Sequence, residues 1–151
     1  MIELEFHQRP VDVPVELRLY RRLALLTVSM AECCRAGVAS FKQLHFLNSL
    51  YMDSTFRSLY FEFKHKRFSL RILSPSADPY LNRCVSYALA AGLIETKDIK
   101  SGYRVSLTEN GKTFVAALKK EKYLTDVFEL YYSLGKISEA EIENALQMEK
   151  S

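Results

Sequence analysis

Ala88-Leu89-Ala90-Ala91-Gly92-Leu93-Ile94-Glu95, continued after a charged spacer by Tyr103-Arg104-Val105-Ser106-Leu107-Thr108-Glu109-Asn110-Gly111, sets the architecture of this chain. Leu81, Cys84, Val85, Ala88 and Leu89 recur at helical spacing and predict the buried stripe of a helix over 78–91. Ser76 or Asp78 can cap it, Pro79 suits its first turn and Gly92 ends it. Leu93-Ile94-Glu95 and Tyr103–Leu107 then read as two short strands around the loop Thr96–Gly102. Thr108 caps a following helix that carries Phe114, Val115 and Leu118.

Upstream, the chain opens with strict alternation. Ile2, Leu4 and Phe6 fall on one side and Glu3 and Glu5 on the other, the period of a strand with one buried face. Pro10 and Pro14 end that strand, and a helix is expected from Val15 to Ala36, with Gly37 just past its end. Its centre, Leu23–Ala31, is apolar nearly all round, as in a helix covered on more than one side. Ser40 caps a second helix to about Met52, with Phe41, Leu44, Leu47 and Leu50 among its apolar positions. In 53–76, Phe56, Tyr60, Phe61, Phe63 and Phe68 interleave with Arg57, Lys64, Lys66, Arg67 and Arg71. Phe61, Phe63, Phe68, Leu70 and Ile72 alternate, so strand character is expected late in that segment.

Downstream, the stripe Leu124, Val127, Phe128, Tyr131, Leu134 is out of phase with Phe114–Leu118, so either the helix breaks near Lys119–Lys122 or one helix touches different neighbours in its two halves. Gly135 closes that element, and Ser138-Glu139-Ala140-Glu141 is a capping box for a last helix with Ile142, Ala145 and Leu146. The stripe points away from the face that packs on the domain. Either it or the N-terminal strand is therefore expected to meet a partner, with Phe128 and Tyr131 as anchors and Leu124, Val127 and Leu134 beside them.

Two helices, an amphipathic helix, a glycine, a strand, a charged loop, a strand ending in threonine and a helix follow one another. This is the order of a winged helix, a helix-turn-helix relative with a β-hairpin wing. The expected fold is mainly α (α+β): strand and linker at 1–14, winged-helix domain at 15–118 with a basic insertion at 53–76, helical extension at 119–151. Glu16–Leu26, opening a long first helix, and Phe46–Phe56, closing an aliphatic second one, add to this layout. With the basic insert and late wing, the chain resembles the small middle components of bacterial three-component ABC-ATPase systems, including Lamassu-type anti-phage and anti-plasmid defence. The resemblance implies a winged-helix adaptor seated on an SMC-like ATPase chain and linking it to an effector subunit.

Composition narrows the chemistry. Of 151 residues, 48% are apolar and 26% charged, enough to build a core, and the net charge of +3 is too mild to announce a nucleic-acid binder. That charge is unevenly spread. Glu3, Glu5, Asp12 and Glu16 against Arg9 leave 1–16 at −3, residues 123–151 are at −4, and 17–122 carry +10. The acidic ends either fold over the basic middle, or the middle faces DNA or an acidic partner. Lys64, Lys66, Arg67 and Arg71 of the insert are the stronger candidates for such contacts; Arg83, Lys97, Lys100 and Arg104 belong to the late helix and wing. Against Asp78, Glu95 and Asp98 that second group nets only +1, so Tyr80 and Tyr87 beside Arg83 suit protein contact better than base reading.

No catalytic residue, metal site or cofactor is expected. His7, His45 and His65 lack metal spacing, and five glycines make no phosphate loop or nucleophile elbow. Cys33 and Cys34 are expected to pack in the long helix. Three cysteines without a paired framework, no secretory leader and no apolar run long enough for a bilayer point to a cytoplasmic protein without membrane contact.

Overall fold

The computed structural model describes residues 15–65, 78–99 and 102–147. The expected N-terminal strand, the strand at Phe68–Ile72, and Lys66, Arg67, Arg71 and Lys100 lie outside them. The fold is mainly helical, with a small three-stranded antiparallel sheet.

Helix α1 (Val15–Cys33) is the axis. Leu23 to Met30 are all buried, because α2 (Phe41–Met52), α4 (Pro79–Ala90), α5 (Glu109–Lys120) and α6 (Thr125–Leu134) surround it. Thr27 and Ser29 are tolerated there because their hydroxyls donate to carbonyls one turn back, Leu23 and Ala24 for Thr27, Leu26 for Ser29. A 3-10 turn at Arg35–Gly37, with Ala36 and Gly37 at positive φ, turns the chain into a strand absent from the sequence expectation, β1 (Val38–Ser40).

Strands β2 (Ile94–Ile99) and β3 (Gly102–Leu107) form an antiparallel hairpin, longer than expected because most of the anticipated loop pairs. β1 pairs antiparallel with β3 on its other side, giving the order β1-β3-β2. Ile94, Val105 and Leu107 at the hairpin's base are buried, whereas Glu95–Asp98 and Tyr103 are exposed, so the hairpin projects from the core.

Caps fix the helix starts. Ser40 and Gln43 form a reciprocal capping box on α2, and Gln43 Nε2 also donates to the Ile137 carbonyl at 3.0 Å. Asp53 caps α3 (Ser54–Lys64), Asp78 caps α4, Thr108 caps α5 and Ser138 caps α7 (Glu139–Gln147). Phe61 and Phe63, expected in a strand, are helical in α3. Phe56 and Tyr60, one turn apart, are buried edge-on against Phe46 at 5.3 and 5.2 Å, and helical phase wins because it serves that contact.

The last third corrects the expected partner surface. The chain does break after α5, with Lys122 and Leu124 in left-handed conformation, but the break turns the next stripe inward. Val127, Tyr131 and Leu134 are at most 1% exposed, so they are core residues and not partner anchors. Tyr131 donates its hydroxyl to the Leu47 carbonyl at 3.0 Å, while Phe128 and Leu124 are half-buried against the same core. One apolar cluster includes residues from both sides of the boundary expected at 118.

Candidate interaction surface

Arg18, Arg21 and Arg22 occupy the polar face of α1 just before its fully buried run, Arg21 and Arg22 one turn and Arg18 two turns ahead of Leu25. Arg22 is held on three sides. It reaches Asp78 at 3.1 Å and Asn48 at 3.1 Å, and its guanidinium lies 5.0 Å from the centre of the Tyr80 ring. Burial alone would push the Asp78 carboxyl up. The Tyr80 N–H, the Asn48 amide and the Arg22 guanidinium outweigh it and hold Asp78 below the usual carboxylate range. Arg21 donates to the Tyr51 hydroxyl, which donates to Asp126 at 3.2 Å. With Leu25, Met52 and Tyr80 these arginines line a cleft of about 310 Å³.

Tyr80 joins this cleft to the outer face of α4. Tyr80, Arg83 and Tyr87 follow one another at helical spacing, and Asn82, Arg83, Ser86 and Tyr87 line a shallow depression. Tyr87 is 54% exposed. The hairpin adds Lys97 and Tyr103, both exposed, beside the acidic Glu95 and Asp98.

The expected basic contacts divide. Arg104 pairs with Glu139 at 2.9 Å, and Lys64 donates to the Leu134 carbonyl at 2.9 Å, closing the end of α6. Both serve the fold, as does Lys136, which caps the carbonyls of Ala31 and Cys34. The acidic C-terminal segment thus folds onto the basic middle, also through Lys42 and Glu143. Arg83 and Lys97 remain exposed, with no ion pair among the described residues.

Arg21, Arg22 and Tyr51 were not singled out from the sequence as site residues. Their signal was present as Arg-x-x-Arg-Arg at 18–22, directly ahead of an apolar run. The thiols of Cys33 and Cys34 are pushed up to about 12, by burial first, and suit packing rather than nucleophilic work. Among the described residues no three His, Cys, Asp or Glu side chains gather as metal ligands, and no helix is long and apolar enough to cross a membrane.

Comparison with protein-family models, curated proteins and solved structures finds no match.

Proposed function

We propose that this chain is a non-catalytic winged-helix adaptor that docks on a larger protein partner through the outer face of α4 and the adjoining hairpin. The winged-helix part of this reading is supported by the order α1, β1, α2, α4, β2, β3, α5, with α3 as an added helix, and by the strand order β1-β3-β2. The observation that carries the docking part is the charge left on that face. With Arg104 taken up by Glu139, the described cations are Arg83 and Lys97, set against Glu95 and Asp98. A surface that gains its affinity by releasing phosphate counterions needs several unopposed cations, whereas exposed tyrosines around one arginine make a protein contact. The resemblance to three-component ABC-ATPase systems makes an SMC-like ATPase chain the proposed partner, with an effector subunit linked through the adaptor.

Asn82 and Arg83, exposed in the first half of α4, favour a second reading as a DNA-binding regulator, since these side chains pair with adenine and guanine edges. Two measurements separate them. The adaptor co-purifies with an SMC-like ATPase, and Tyr87→Ala weakens that association at least about tenfold, as loss of an interface aromatic does. The regulator binds duplex DNA alone, with an affinity that falls steeply with salt and depends on Arg83. Tight DNA binding without a partner, or ATPase or nuclease activity in the purified chain, would overturn the proposal.

A further inference from the structure

The geometry points to a second docking site: the cleft between the start of α1 and the start of α4 takes a carboxylate of an acidic, apolar-flanked peptide segment of a partner protein, with Arg21 as its anchor. The inference rests on the adaptor reading in taking the ligand to be protein. It does not depend on the outer face of α4 being the main contact.

Arg22 and Arg21 stand in contrasting states. Arg22 is fixed by a carboxylate, an amide and an aromatic ring, and its side chain is 19% exposed. Its work is to hold the two helices at the cleft's inner end. The Arg21 side chain is 52% exposed, and it meets Asp126, itself 66% exposed, only at 4.0 Å. An ion pair this open contributes little to stability, so replacing the Asp126 carboxylate by that of a ligand costs the fold little. The Tyr51 hydroxyl, which accepts from Arg21 and donates to Asp126, can turn its proton to a ligand carboxylate instead.

The surroundings choose the class of anion. Asp78 and Asp126 already pair with two of the cleft's arginines, and their charges repel a phosphate dianion and, more strongly, a chain of phosphates; a single carboxylate merely takes the place of Asp126 on Arg21. The remaining wall is apolar or aromatic. Leu25 forms the floor, Met52 is half-exposed at the mouth, and the Tyr80 ring closes one side. A glutamate or aspartate next to a leucine or phenylalanine satisfies both halves of this lining.

The test is fluorescence anisotropy of the full chain with a short labelled peptide alternating glutamate with leucine and phenylalanine. Inorganic phosphate and a single-stranded oligonucleotide serve as competitors. The peptide is captured, Arg21→Gln weakens capture about tenfold, and Asp126→Asn strengthens it about threefold by removing the resident carboxylate. Circular dichroism checks that both variants, changed at exposed positions, retain the fold. Failure to capture the peptide, displacement by phosphate or the oligonucleotide at lower concentrations than by unlabelled peptide, or weaker capture by Asp126→Asn each overturns the inference. Capture lost in Tyr87→Ala but retained in Arg21→Gln moves the ligand to the face of α4, refuting the cleft while leaving the adaptor reading intact.

Discussion

A Cβ at Gly111 would collide with the Leu93 carbonyl oxygen and stand 2.9 Å from Leu107 Cδ2. Thr108 creates this crowding, because its N–H donates to the same Leu93 carbonyl at 3.0 Å while its hydroxyl bonds the Gly92 carbonyl and receives the Gly111 N–H. The first turn of α5 is thereby drawn onto the start of β2, and only a residue without a side chain fits. Gly111→Ala should lower stability by about 2–3 kcal/mol, the scale of overpacking against a backbone that cannot retreat, while Asn110→Ala next to it stays within about 0.5 kcal/mol. Urea midpoints of the two variants check this; a midpoint for Gly111→Ala equal to that of the parent would show that α5 can slide. The sequence displayed the motif Thr108-Glu109-Asn110-Gly111 openly. It could not display the reason for the glycine, which lies in the carbonyl of a residue on another element.

Helix α4 shows what a cap can carry. Asp78 accepts the Tyr80 N–H at 3.0 Å and the Asn48 amide at 3.1 Å, and it pairs with Arg22, so one carboxylate joins α4 to both α1 and α2. Its folded-state pKa is depressed, so the stabilisation it gives is fully present above its unfolded value, ~4, and is lost as pH falls through the lower folded value. Asp78→Asn keeps a good cap but removes the charge. It should cost about 1 kcal/mol at pH 7, and the gap between variant and parent should close at an acid pH low enough to protonate folded Asp78. Denaturation at the two pH values reads the gap directly; an undiminished gap at low pH would assign the effect to packing. Caps were legible in the sequence because they act within one turn. Helix α3 was not, since Phe61 and Phe63 suit an alternating pattern while Phe56, Tyr60 and Phe63 equally suit a helical one. The contact of Phe56 and Tyr60 with Phe46 decided between them.

Over the whole molecule, α6 and α7 complete the core. Tyr131 bonds the Leu47 carbonyl, Cys33 Sγ contacts the Tyr131 carbonyl at 3.4 Å, and Gln43 and Lys64 reach the carbonyls of Ile137 and Leu134. Ile137, Ile142 and Ala145 are buried with them. A chain ending after Lys120 should therefore lose its cooperative thermal transition, because the opposing faces of α1 and α2 would be left apolar and uncovered. A sharp transition within a few degrees of the full chain would instead make residues beyond 120 an appendage. The same closure takes Arg104, Lys42, Lys64 and Lys136 into internal contacts, which leaves Arg21 and Arg83 among the cations turned outward.

By itself the sequence determined what depends on neighbours along the chain: the caps at Ser40, Thr108 and Ser138, the nearly all-apolar centre of α1, and the two strands of the hairpin; it narrowed the α4 cap to Ser76 or Asp78 and showed a change of face after α5. Tertiary structure decided what depends on which faces meet. It turned the Val127–Tyr131–Leu134 stripe inward, made a third strand of Val38–Ser40 because the edge of β3 was there to pair with, and gathered Arg21, Arg22, Tyr51 and Tyr80 from three helices into one cleft. Periodicity fixes that a stripe is buried, but the direction it faces is set by the left-handed turn at Lys122–Leu124, a backbone choice that neither residue type announces.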